Sequence, residues 1–189
     1  MQGSATSWSD GVRVVFALAF SFVLASTLMV FALASVSPVI RQLVPPTLID
    51  VAVVAFCIVG IGVDVRAIVA NRLSVGLSRQ TPKALIYLGE NAWITPYIWG
   101  FDTGLIWTTF RVSFASWLLL IMAALGFAPA WAGFVYGACF ALPFLALIFV
   151  SSAHFPGAAL ARLRPAQGLG VASMVLVVVA ILSILARGA

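Results

Sequence analysis

Charged side chains are scarce in this sequence: ten Lys and Arg and five Asp and Glu make up 8% of its 189 residues. A soluble domain carries about 25% charged residues. Hydrophobic residues make up 63% of the chain, and its mean hydropathy is +1.18. A small soluble domain buries only about 70% of its surface and has no room for so much apolar area. These figures exclude a soluble enzyme, a nucleic-acid-binding domain, a disordered tail and a disulfide-stapled secreted fold.

Metal-ligating residues and catalytic motifs are also scarce. The single His154 cannot provide a pair of haem ligands, and no His, Cys or carboxylate cluster has zinc or di-iron spacing. No phosphate-binding loop, nucleophile elbow or dinucleotide fingerprint occurs. The tripeptide Asp102-Thr103-Gly104 also occurs in aspartic proteases, but we interpret Asp102 or Thr103 as a helix N-cap. The sequence therefore predicts no metal and no cofactor, and it favours a non-enzymatic role.

Long apolar runs are what the sequence has instead. A helix needs about 20 apolar residues to cross a bilayer, about twice the length of a barrel strand. We predict an all-α, polytopic transmembrane helix bundle that forms a single membrane domain over residues 1–189. Its five predicted spans are Val14–Val36, Pro46–Val65, Leu105–Phe127, Trp131–Val150 and Leu169–Leu185.

One segment, Ala84–Gly104, is too apolar for a loop and too polar for an ordinary span. Its Tyr and Trp side chains alternate with polar residues, a mixture typical of the headgroup layer. We therefore predict a re-entrant or interfacial element here. The alternative is a sixth span.

The basic residues between the spans predict the orientation. With a cytoplasmic N-terminus, five spans place seven loop Arg and Lys inside and two outside, whereas six spans place six inside and three outside. The five-span arrangement also places the C-terminus outside. Nine of the ten basic residues are Arg in a chain rich in Ala, Val and Gly, a bias that hints at a GC-rich bacterial genome, so we predict the bacterial inner membrane.

The same residues indicate the partners of the chain. Basic residues between apolar runs fit lipid headgroups rather than nucleic acid. The partner is the lipid bilayer, and the basic segment Arg66–Lys83 is suited to an anionic leaflet or a cytoplasmic protein. The alternative is that this segment is an ordinary cytoplasmic loop with no binding role.

Arg111 is the charged residue of greatest interest, because it lies within a predicted span. Spacing on a continuous helix would place it on one face with Gly104, Thr108 and Ala115. We predict a substrate-binding site of charged residues and aromatic walls; a structural ion pair is the alternative. Its members are Glu90, Asp102, Arg111, Trp93, Trp99 and Trp107.

Two stripes of small residues predict helix-packing faces, since small side chains let membrane helices approach closely. They are Ala17, Ser21 and Ala25 in the first span, and Gly133, Gly137 and Ala141 in the fourth. Either stripe serves packing within the bundle or docking of another subunit.

Three functions follow from these features. The leading hypothesis is solute or lipid translocation, or the membrane subunit of a transport assembly. The second is a non-catalytic membrane assembly or scaffold subunit. The third is thiol redox chemistry between Cys57 and Cys139, whose depths in their predicted spans are similar, although no C-x-x-C motif occurs.

Overall fold

The computed structural model describes residues 8–72, 94–106, 113–139, 141 and 158–188. This part of the chain contains helices and no strand, in agreement with the all-α prediction. The six helices are α1 (Trp8–Leu43), α2 (Pro46–Val69), α3 (Ile94–Gly104), α4 (Ala115–Ala124), α5 (132–139) and α6 (Ala158–Gly188).

Three of the helices are long and apolar enough to cross a membrane, and the chain is consistent with an integral membrane protein. The membrane-length stretches are Val12–Leu43 in α1, Pro46–Val69 in α2 and Gln167–Ala186 in α6. They overlap the first, second and fifth predicted spans. The count of five is not confirmed, because α4 is only ten residues long and residues 142–150 of the fourth predicted span lie outside the described residues.

Local sequence explains where α2 begins and ends. Pro46 occupies the first turn of α2, where the missing proline N–H would have no helical acceptor. Beyond Val69 the chain turns at Asn71, which has a left-handed φ of 55°. Asn tolerates that conformation better than most residues. Both ends of this helix are therefore set by the local chain.

Contacts between α2 and α6 show that the two helices run in opposite directions. The Gln167 amide, at the start of the apolar part of α6, donates to the carbonyl of Arg72 just beyond the end of α2. Further along α6, Met174 approaches Gly60. Later residues of α6 therefore contact earlier residues of α2, as expected for two antiparallel helices.

The short helices pack along α1. Gly100 of α3 contacts Leu18 and Ser21, and Gly104 contacts Phe22 and Ala25, so α3 runs parallel to α1. On α5, contacts with α1 follow the opposite order: Gly133 meets Val30, whereas Gly137 meets Val23. Because the pairing order reverses, α5 is antiparallel to α1.

Helix α4 lies between these two groups and joins them. Its Leu118 belongs to a buried cluster with Val53, Cys57, Met174 and Ile181, from α2 and α6. Its Leu120 and Ala123 instead pack with Val30 of α1 and with Ile106. The end of α4 lies beside the end of α1, where Arg41 bonds to the carbonyls of Leu125 and Gly126. Helix α4 is thus parallel to α1.

The third predicted span is not one continuous helix, which corrects two expectations. Helix α3 ends at Gly104, the chain turns at Ile106 with a φ of 53°, and α4 begins only at Ala115. Gly104 and Ala115 therefore do not share one helix face. The N-cap interpretation of Asp102 and Thr103 is also wrong, because both lie inside α3 and the Thr103 hydroxyl donates to the Trp99 carbonyl one turn back.

Candidate functional site

An open groove runs between α1 and α3, and Asp102 is the charged residue among those that line it. Its volume is about 490 Å³, and apart from Ser21 and Asp102 its lining is hydrophobic or aromatic. The lining residues are Phe20, Ser21, Leu24, Tyr97, Ile98, Phe101, Asp102 and Leu105.

Two glycines determine which side of α3 packs against α1. Gly100 and Gly104 are buried against the backbone of α1, where a Cβ atom on either would collide with α1. This close approach fixes which side of α3 meets α1. Asp102 lies two positions from each glycine, so its side chain projects from another side of α3, where it is half-buried. It borders the groove together with Ile98, Phe101 and Leu105 of the same segment.

The other predicted site residues divide into two groups. Trp99 lies on α3 with 46% of its surface exposed, and it is not among the groove-lining residues. Glu90, Trp93, Trp107 and Arg111 lie outside the described residues. The predicted cluster as a whole therefore stays a prediction.

A second groove of about 460 Å³ lies on the other side of Phe20 and Leu24, which line both grooves. Its walls come from α1 and from Phe134, Ala138 and Ala141, and Thr27 is the polar residue among them. No charged side chain lines it among the described residues. Asp102 thus distinguishes the first groove from the second.

A separate polar cluster surrounds Asp64, which lies on α2 within its membrane-length stretch and has 0% of its surface exposed. The Ser113 hydroxyl donates to one carboxyl oxygen of Asp64 at 2.6 Å. The Phe114 N–H donates to the other at 2.9 Å. Ser113 Oγ also accepts the Ala115 N–H at 3.1 Å.

These bonds place Asp64 at the N-terminus of α4, where backbone N–H groups have no helical acceptor. The partial positive charge of a helix N-terminus favours a carboxylate there. Asp64 therefore caps α4 from a neighbouring helix. Gly170 of α6 closes the cluster, because any side chain at that position would collide with Ser113.

The two predicted packing stripes are buried on helix contacts. Ala17, Ser21 and Ala25 have at most 4% of their surfaces exposed, and Ser21 and Ala25 contact α3. On the other side of α1, the Ser26 hydroxyl donates to the carbonyl of Gly133 at 3.1 Å. Gly137 and Ala141 are buried as well.

Both cysteines are free thiols in different surroundings. Cys57 is fully buried among hydrophobic side chains of α2, α4 and α6. Cys139 is exposed at the end of α5. The redox hypothesis stays a prediction.

Sequence reasoning missed three features of these contacts. Asp64 falls at the end of the predicted span Pro46–Val65, although an ionisable residue inside an apolar helix is itself a signal of function. The bonds of Arg41 to the end of α4 depend on the fold, so its position between two predicted spans gives no sign of them. Gly100 and Gly104 have the four-residue spacing of a close helix contact, but the prediction of an interfacial element for Ala84–Gly104 makes no use of that spacing.

Comparisons with known proteins add no assignment: no family model, no curated protein and no solved structure matches this chain.

Proposed function

We propose that this chain is a multi-spanning protein of the bacterial inner membrane that acts in solute or lipid translocation, alone or as the membrane subunit of a transport assembly. The observation that carries the proposal is the presence of Asp102 on an open groove whose other lining residues, apart from Ser21, are hydrophobic or aromatic. Ionisable residues inside membrane bundles are rare, and they mark the routes of substrates and ions.

The depth of Asp102 supports this role. The groove meets α1 at Phe20, Ser21 and Leu24, and Ser21 lies nine residues, or about 14 Å, along the membrane-length stretch that begins at Val12. A headgroup-level carboxylate would lie near the start of that stretch. A carboxyl this far along α1 is suited to binding a cation, or a hydrogen-bond donor, in transit across the bilayer.

The break between α3 and α4 also supports translocation. Both helices run parallel to α1, with α3 beside Leu18–Ala25 and α4 beside Val30–Arg41. We propose that they form one membrane crossing made of two half-helices. Transporters use such discontinuous helices to bring backbone groups and helix ends to a binding site.

Helix directions favour five crossings over six. Successive crossings alternate in direction, and α6 runs opposite to α2, so an even number of crossings must lie between these two helices. The six-span alternative places three crossings between them. With α3 and α4 as one crossing and α5 as part of the next, the total is five. The basic residues then favour a cytoplasmic N-terminus.

Asp102→Asn tests the proposal in vesicles that contain the purified full chain. One set carries a fluorescent phospholipid with an amine headgroup, and the other is loaded with a fluorescent organic cation. Because a hydrogen bond to a charged group contributes about 1.5–3 kcal/mol, we expect the variant to slow movement of the transported probe about tenfold or more.

Asp50→Asn is the matched control, because Asp50 lies on α2 and does not line the groove. It should leave the rate unchanged. If the folded wild-type protein moves neither probe, or if Asp102→Asn matches the wild type, the groove is not a translocation site.

The second candidate is a non-catalytic assembly subunit. The observation in its favour is the apolar stretch Gln167–Ala186 of α6, of which only 17% is buried within the chain. The remaining surface is available to lipid or to another membrane protein. Purification as a stable monomer without a second protein would count against this candidate.

A further inference from the structure

The carboxyl of Asp64 is the buried ionisable group that the proposed groove does not use. It lies on α2, whereas the groove is formed by α1 and α3. Asp64 is 0% exposed, and it lies seven residues, or about 10 Å, beyond the buried Cys57 on the same helix. Water therefore does not solvate this carboxyl.

The partners of Asp64 in the described part of the chain are both neutral. They are the Ser113 hydroxyl and the Phe114 N–H, each within hydrogen-bond distance. Of the two helices packed around it, α4 contains no charged residue, and α6 has Arg162, Arg164 and Arg187 only outside its apolar stretch Gln167–Ala186. On α2 the nearest basic residue, Arg66, is exposed and only two positions away, so it does not share a face with Asp64.

A buried carboxylate with neutral partners has a strong tendency to take up a proton, because its charge is poorly solvated. Here both oxygens already have donors, which stabilise the ionised form as well. Ser113 can serve either form, because its hydroxyl can donate to the carboxylate or accept from the protonated acid. We infer that Asp64 is a proton-binding site whose occupancy controls how firmly the N-terminus of α4 is held to α2.

The exchange involves one proton and no other reactant. In the ionised form Ser113 donates to Oδ2 and Phe114 donates to Oδ1. A proton delivered by a hydronium ion, which becomes water, binds Oδ2. The new O–H then donates to Ser113 Oγ, so the Ser113 hydroxyl hydrogen turns away and its bond to Oδ2 is lost. Oδ1 becomes a carbonyl oxygen and keeps the Phe114 N–H, but this bond weakens because the acceptor has lost its charge.

The sign of the pH effect follows from these bonds. The ionised carboxylate holds α4 through two charge-assisted bonds and through its attraction to the helix N-terminus. Protonation removes the negative charge on which the two bonds and the attraction to the helix N-terminus depend. Lowering the pH should therefore loosen the start of α4, and raising it should tighten that contact.

Infrared difference spectra of the purified full chain, recorded between acidic and alkaline buffer, test the inference. We expect the carbonyl stretch of a protonated carboxylic acid to appear on acidification. Asp64→Asn should remove this band, while Asp50→Asn and Asp102→Asn should each retain it. Because the measurement needs no transport, it can fail or succeed independently of the groove at Asp102.

Ser113→Ala provides a second variant in case Asp64→Asn does not fold. It keeps the carboxyl group but removes its hydroxyl partner, so the band should persist at a shifted frequency. Hydrogen exchange of the amides at residues 114–118, corrected for intrinsic rates, should rise on acidification in the wild type and not in Asp64→Asn.

The inference is overturned if the wild-type spectrum contains no titrating carboxyl band that Asp64→Asn removes or Ser113→Ala shifts. A permanently ionised Asp64 would give that result, as would a basic partner such as Arg111, which lies outside the described residues. Repeating the spectra with Arg111→Gln separates these two explanations, because a titrating band would then appear only if Arg111 were the partner.

Discussion

Single glycines determine how closely the helices of this protein approach each other. A Cβ atom at Gly133 would collide with the backbone carbonyl of Ser26 and approach Val30 Cβ to 2.7 Å. Backbone atoms cannot move aside as the end of a flexible side chain can. The four-residue spacing made Gly133 predictable as a contact residue, but the sequence could not identify its partner, because small residues fit many neighbours.

Gly133→Ala should therefore destabilise the fold. We expect its free energy of unfolding in detergent to fall by about 1–3 kcal/mol, as for other overpacked contacts. Gly62→Ala is the matched control, since nothing lies within 4 Å of the added methyl group. Alanine favours a helix over glycine by about 1 kcal/mol, so the control should be neutral or more stable. Equal effects of the two substitutions would contradict close packing at Gly133.

At the scale of elements, α4 is held at both ends by ionisable side chains from other helices. Asp64 of α2 accepts the Phe114 N–H at its start. At its end, Arg41 of α1 donates to the carbonyls of Leu125 and Gly126, both at 2.9 Å. An acid at the N-terminus and a base at the C-terminus both complement the helix dipole. The sequence of α4 contains neither charge, so its position was not predictable from its own residues.

Arg41→Gln should loosen the C-terminal end of α4. Arg41 is exposed, and its guanidinium also lies 5.3 Å from the centre of the Phe127 ring. Because solvent weakens exposed charge contacts, we expect a loss of only about 0.5–1.5 kcal/mol in the free energy of unfolding. Arg41→Lys retains the charge but loses the planar two-donor geometry, so it should recover only part of the loss. Full recovery would show that charge alone is needed.

At the scale of the whole molecule, the predictable helices were those with uninterrupted apolar runs. The stretches Val12–Leu43, Pro46–Val69 and Gln167–Ala186 follow directly from the requirement for about 20 apolar residues. The turn that follows Gly104 and the start of α4 at Ala115 did not, because both involve tertiary contacts. Ile106 adopts a left-handed backbone while fully buried, and the Phe114 N–H at the start of α4 bonds to Asp64. The amino-acid composition gives no information about either feature.

The same helix directions lead to a prediction about topology. In a variant with Cys57→Ser and Cys139→Ser, single cysteines replace exposed residues at the two ends of the long helices: Gln42, Asn71 and Ala186. Because α6 runs opposite to α2, Ala186→Cys should react with an impermeant thiol reagent from the same side as Gln42→Cys. Asn71→Cys should react only from the other side. With five crossings and a cytoplasmic N-terminus, Gln42→Cys and Ala186→Cys are labelled from outside intact cells. Labelling of Ala186→Cys from the same side as Asn71→Cys would contradict five crossings and favour six.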